Sequence, residues 1–154
     1  MSNAVWRFKS GEQTDLFVKL FSIAASRIRA IQENRHRAVL VPVPASTREK
    51  HRTRYEAFCR KLSADMGVAD GYGAITVAYD RAQYKGTHGN GDRTANLEFH
   101  PKRFRGKCVL LVDDVLTTGA TFIALRRRLI AHGAKFVIGM FLAKTIAFED
   151  ERKE

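Results

Sequence analysis

"VLLVDDVLTTGAT", residues 109–121, is the stretch on which the reading of this chain turns. Four apolar residues suit a strand buried on both faces, placed at 108–112. Two adjacent aspartates, Asp113 and Asp114, close it. They stand in a chain with 27 Lys and Arg against 16 Asp and Glu and a formal net charge of +11. A turn of small and hydroxyl residues comes next and enters a helix from about Thr121 to His132, stopped by Gly133.

Adjacent strand residues point to opposite faces, but where a strand gives way to a loop two carboxylates can converge on one ligand. Ionised carboxylates only accept hydrogen bonds, and a vicinal diol, such as the 2- and 3-hydroxyls of a ribose, is their natural neutral partner. Directly after them, "TTGAT" offers backbone N–H groups in a tight turn and a helix N-terminus, which together cradle an anion. Thr117, Thr118 and Thr121 add hydroxyls, and Gly119 allows close approach. A diol binder running into a phosphate cradle describes a ribose 5-phosphate pocket. The string lacks the GK[ST] ending of a triphosphate loop and the G-x-G-x-x-G spacing of a dinucleotide site.

The 154 residues make one domain, assigned to 1–148, with a charged tail at 149–154. No apolar run approaches the roughly 18 residues of a membrane span, and the N-terminus has no apolar signal region. Cys59 and Cys108 lie far apart among apolar neighbours and read as buried thiols of a reducing, cytoplasmic compartment. The five histidines show no paired metal spacing. The excess positive charge implies an anionic partner, either nucleic acid or a phosphorylated small molecule.

Apolar residues Leu16, Phe17, Leu20, Ile23, Ala24, Ile28 and Ile31 predict one helix over 15–32. "AVLVPVP" (38–44) predicts a buried strand ended by prolines. Tyr55, Phe58, Leu62 and Met66 share a helix face that stops at Gly67. Residues 73–79 and 134–143 predict further strands, and 84–107 a long loop of functional type. "RRR" at 126–128 reads as the solvated side of its helix. Alternating strands and helices predict an α/β fold, a mainly parallel twisted sheet with helices on both faces. In such sheets ligands bind beyond the carboxyl ends of the strands, which singles out the segments directly after "VLVPVP" and "VLLV". A phospho-acceptor receiver domain shares that architecture, but its acids come after the first strand, where this chain has none.

"VLLVDDVLTTGAT" closely resembles the 5-phosphoribosyl 1-pyrophosphate (PRPP) motif of type I phosphoribosyltransferases, whose fold carries a small variable hood. "FKSGE" (8–12), "VPVP" (41–44), "RTANLEF" (93–99) and "FLAK" (141–144) are similar, in the same order, to the ComF-type competence branch. The resemblance implies that Asp113 and Asp114 take the ribose diol. Thr117, Thr118, Gly119, Ala120 and Thr121 would line the 5-phosphate loop. "PASTREKHRTR" falls at the pyrophosphate loop. There Ala45, Ser46 and Thr47 would supply N–H groups, and Arg48, Lys50 and Arg52, placed between strand and helix, would supply charge. Lys85, His88 and Asn96 fall in the mobile loop, and Arg93 joins the two aspartates as a catalytic candidate. "KGTHGNGD" departs from the Gln- and Arg-rich segment of that branch. The implied chemistry is Mg²⁺-dependent transfer of phosphoribosyl to a nitrogen nucleophile that the sequence does not identify, with Mg²⁺ held mainly through PRPP. A non-catalytic PRPP sensor or a DNA-handling protein on the same fold is the alternative, and the fold accommodates a homodimer.

Overall fold

Strand β1 (Ala38–Pro42) lies parallel to β5 (Cys108–Leu116), in register from Ala38 opposite Cys108 to Pro42 opposite Val112, in a computed structural model that describes residues 3–79, 94–116 and 118–144. Both strands alternate between two apolar clusters. Ala38, Leu40, Cys108, Leu110 and Val112 belong to one, and Val39, Val41, Val109 and Leu111 to the other. Every one of these side chains is buried, as the unbroken apolar runs predict for a sheet covered on both faces.

Strand β2 (Ala69–Asp70) and strand β6 (Phe136–Lys144) complete a four-stranded parallel sheet of order β2-β1-β5-β6. Helices α1 (Asn3–Lys9), α2 (Thr14–Ser26), α3 (Arg29–Asn34) and α4 (Arg48–Met66) bury their apolar sides in the first cluster. Helix α5 (Ala120–Ala131) packs in the second. So does a separate antiparallel pair, β3 (Ile75–Val77) with β4 (Leu97–Phe99). The α/β fold expected from the sequence is present, and among the described residues no helix is long and apolar enough to cross a membrane.

Several boundaries differ from expectation. The helix foreseen over 15–32 is two helices, because Ile28 is extended (φ −98°, ψ 108°) and turns the chain before α3. Its buried stripe is Phe17, Phe21, Ala25 and Ile31, while Leu16, Leu20 and Ile23 are exposed. The buried stripe is chosen by Phe8 of α1, whose ring centroid lies 5.4 Å from Phe17, 6.0 Å from Phe21, 5.9 Å from Tyr55 and 5.0 Å from Phe58. Helix α4 starts at Arg48, earlier than expected, since Thr47 caps it by accepting the Lys50 N–H at 3.1 Å. The described part of the stretch expected as loop, 94–107, contains β4 and a short 3₁₀ turn. Within "RRR", Arg126 and Arg127 are exposed, but Arg128 donates to Thr94 Oγ1 at 3.0 Å and lies 4.7 Å over the Phe99 ring. The thiols of Cys59 and Cys108 are free and buried, with pKa values raised by burial.

Gly71 joins β2 to the rest of the sheet by donating its N–H to Leu40 O at 2.7 Å. A Cβ there would lie 2.6 Å from that same oxygen and 2.6 Å from Val39 Cγ2. Gly71→Ala is therefore expected to lower stability by about 1–3 kcal/mol, read as a lower thermal unfolding midpoint. An unchanged midpoint would show that this edge gives way freely.

Candidate functional site

The two central strands end at different heights. β1 stops at Pro42, opposite Val112, and the last link between them is Val43 N–H to Val112 O at 2.8 Å. β5 continues to Leu116, not ending at 112 as expected, and pairs with β6 as far as Leu116 opposite Lys144. From Asp113 onward it has β6 on one side and a crevice on the other.

Both aspartates line that crevice. It is a cavity of about 340 Å³ walled also by Lys9, Val43, Thr118 to Phe122 and Phe141. Asp113 Oδ1 accepts the Tyr55 hydroxyl at 3.0 Å and the Asp114 N–H at 2.8 Å. Asp114, only 5% exposed, accepts the Val115 N–H on Oδ1 at 2.8 Å. Its Oδ2 lies 3.3 Å from Lys9 Nζ, an ion-pair distance, and accepts no hydrogen bond of good geometry.

The pair divides its charge. Burial, then the side-chain interaction with Asp114 and its charge, push Asp113 up to about 7, against the lowering effect of the Asp114 N–H and the Tyr55 hydroxyl. Burial also acts to raise Asp114, but it is outweighed by the hydrogen bond with Asp113 and the charges of Lys9 and Arg54, so Asp114 is held below the usual carboxylate range. Tyr55 is fully buried; burial first, then Asp113, raises its hydroxyl pKa, and the group stays a donor.

Across the cavity Gly119 caps α5 in the left-handed conformation (φ 81°). Thr118 Oγ1 accepts the Ala120 N–H at 3.2 Å, and the Ile123 N–H closes the first turn on Gly119 O at 2.9 Å. The remaining amides of that turn have no acceptor within the helix, so the end presents positive partial charge. Thr118, Gly119, Ala120 and Thr121 thus border the same space as the aspartates. Thr117 lies outside the described residues.

The segment after β1 behaves differently from a free cationic loop. Ala45 is buried, and its N–H donates to His51 Nδ1 at 3.4 Å. Burial, then the charge of Arg54, lowers His51 to about 4, so the ring is neutral with its proton on Nε2. Ser46 is half-buried. Arg48, Lys50 and Arg52 project from the first turns of α4 because Thr47 starts the helix there. Arg48 donates to the carbonyls of Val77 and Ala78, tying that helix end to β3. A second cavity of about 290 Å³ borders this junction, lined by Arg48, His51, Tyr72, Gly73, Thr76 and Val77. Asn96 is buried and donates to Tyr79 O at 3.0 Å, bracing the β3–β4 pair. Lys85, His88 and Arg93 lie outside the described residues.

The family model described as "Phosphoribosyl transferase domain" matches residues 22–153. The chain belongs to that family. No curated protein matches this phosphoribosyl transferase domain. Among solved structures, an alanine mutant probing an invariant aspartic acid in HPRTs is similar to it at 16% identity and TM-score 0.53, covering 86% of this chain and 78% of that one. A Trypanosoma cruzi hypoxanthine phosphoribosyl transferase stands at 17% identity and TM-score 0.49, with 88% and 70% covered. A Bacillus anthracis hypoxanthine-guanine phosphoribosyltransferase stands at 14% and 0.46, with 90% and 74% covered. The first of these likenesses shows a shared fold.

Tyr55, Lys9, Phe122 and Phe141 border or support the cavity of this phosphoribosyl transferase domain, although their residue types and spacing alone give no sign of it. Tyr55 reads as core from its spacing, which is correct for its ring and silent about its hydroxyl. Lys9 lies in "FKSGE", a stretch whose only signal is its resemblance.

Tyr55→Phe removes one of the two donors to Asp113 Oδ1 and is expected to cost about 1–2 kcal/mol, measured by denaturant unfolding. Asp113 holds its proton more tightly folded than unfolded, so its stabilising contribution is complete below about 3.8 and lost as pH rises through about 7. His51 acts oppositely over the acid range but is common to both proteins in a comparison with Asp113→Asn. That variant, whose amide oxygen still accepts both bonds, should gain stability on the wild type as pH rises from about 4 to about 7. Parallel pH profiles of the two melting points would contradict the division of charge.

Proposed function

We propose that the chain is a phosphoribosyltransferase that binds PRPP and transfers its 5-phosphoribosyl group to a nitrogen nucleophile, releasing diphosphate. The observation that carries this is a cavity in which a half-buried carboxylate, Asp113, and a buried one, Asp114, stand across from the N-terminal turn of α5. One wall suits a diol and the other a phosphate monoester, and a ribose 5-phosphate spans both. In this reading Asp113 and Asp114 hold the 2- and 3-hydroxyls, and Thr118 to Thr121 hold the 5-phosphate, with Thr117 as their neighbour in the motif. Ala45 to Thr47, with Lys50 and Arg52, border the diphosphate.

As the C1–diphosphate bond breaks, positive charge develops on the ribose ring. Asp114, ionised in the same cavity, would stabilise that charge, and the nucleophile's lone pair then forms the new C1–N bond as diphosphate leaves. Water exclusion over the diphosphate falls to the segment carrying Lys85, His88 and Arg93. Among the described residues no group of three or more His, Cys, Asp or Glu could cage a metal. In this reading a Mg²⁺ would be held chiefly by PRPP oxygens, with the aspartate pair alongside, as suits a hard cation that keeps few protein ligands. When bound it would neutralise charge on the leaving diphosphate.

Among family branches, the ComF-type is the one whose scattered motifs this chain shares, and a cytoplasmic location suits that assignment. A second reading is favoured by the net charge of +11: a PRPP-binding protein that handles nucleic acid. Its binding would weaken steeply with salt, which a gel-shift series across ionic strength measures. No shift at low salt would remove it.

Calorimetric titration with PRPP and Mg²⁺ tests the main reading, followed by diphosphate release with a panel of nucleobases and amines. Asp114→Asn should lose about 100-fold or more in turnover, by analogy with deletion of an electrostatic transition-state contact, and a wild-type protein that does not bind PRPP would end the proposal.

A further inference from the structure

The first helix sends a cation into the cavity. Phe8 is 2% exposed and packs among the rings of α2 and α4, which fixes the backbone of its neighbour Lys9. The Lys9 side chain then reaches over the carboxyl end of β5 and stops 3.3 Å from Asp114 Oδ2. The two partners are unequal. Asp114 is 8% exposed at its side chain and Lys9 36%. The ammonium carries three donors and lines the cavity together with the turn that caps α5. One side of it therefore faces a buried carboxylate while another faces the space that a ligand must fill.

A cation placed there conflicts with a purely structural ion pair. The ammonium offsets the charge at 3.3 Å, but Asp114 Oδ2 accepts no hydrogen bond of good geometry, and a buried carboxylate oxygen without one is costly. A ligand bearing both hydroxyls and phosphate oxygens removes the conflict: a hydroxyl donates to Oδ2, and the ammonium takes an anionic oxygen.

We propose that Lys9 is a ligand-binding residue of the ribose-phosphate cavity, supplied by the N-terminal helix, which stands at ion-pair distance from Asp114 and contacts a ligand phosphate oxygen once a hydroxyl takes the carboxylate. This rests on the ribose-phosphate reading of the cavity. It adds a residue outside the acidic pair and the phosphate turn, drawn from a part of the chain before the family match at 22–153.

Binding of ribose 5-phosphate without metal, and of PRPP with Mg²⁺, measured on the full chain for wild type, Lys9→Met and Lys9→Arg, tests it. Lys9→Met should weaken both ligands about tenfold at low salt, the size of one charge-assisted hydrogen bond. Lys9→Arg should restore most of the affinity. The gap between wild type and Lys9→Met should narrow at high salt, because screening weakens a charge contact and not a packing one. Lys9→Gln, which keeps most of the stem, is read in the same way if Lys9→Met unfolds. Equal affinity in wild type and Lys9→Met, or a loss that high salt leaves unchanged, overturns the role of Lys9 while leaving the phosphoribosyltransferase reading intact. A wild type that binds neither ligand overturns both, and the two failures are thereby told apart.

Discussion

Two parallel neighbours of unequal length are the constraint on which the site depends. Pro42 and Pro44 forbid β1 from accompanying β5 further, so β5 alone carries the chain past the sheet's edge with β6 as its support. An aspartate pair in mid-sheet would be buried among apolar side chains at prohibitive cost. Here the missing partner opens a crevice at the residue where the acids begin. The helix after β5 starts with its amides turned to the same opening, and the covered faces below hold the arrangement rigid.

Within that crevice the surrounding charge sorts two chemically identical groups. Asp113 meets a buried hydroxyl and an amide, and its proton is held up to about pH 7. Asp114 meets Lys9 and Arg54 and stays ionised. One member of the pair is thus set to exchange hydrogen bonds and the other to supply charge. In the proposed reading the strongly basic composition and the acidic site serve one ligand, an anion that also carries neutral hydroxyls.

Local features were legible in the sequence. "AVLVP" and "CVLLV" announce strands covered on both faces, and the acids and the threonine turn follow the second within a dozen residues. What stayed hidden depends on contacts distant in the chain. Nothing about Tyr55 reveals that its hydroxyl meets a carboxylate 58 residues away. The choice of Phe17 and Phe21 over Leu16 and Leu20 as the buried stripe required Phe8, which no periodicity within α2 contains. Arg48 and Arg128 read as solvated or phosphate-facing cations, but their partners are the carbonyls of Val77 and Ala78 and the hydroxyl of Thr94. The start of α4 was readable in principle from Thr47, a good cap residue, but the cations after it argue against a helix start by the dipole rule.

The docking of α1 bears on where a working domain can be cut. The family match opens at residue 22, inside α2, and a protein trimmed to it would count as whole by that criterion. Such a fragment would lack Phe8, Phe17 and Phe21, rings of the aromatic cluster beside Tyr55, and with them the seating of the hydroxyl that steadies Asp113. Its crevice would also be open on the side where Lys9 now stands. The working unit is thus larger than the recognisable one, because the residues ahead of the match build part of the wall.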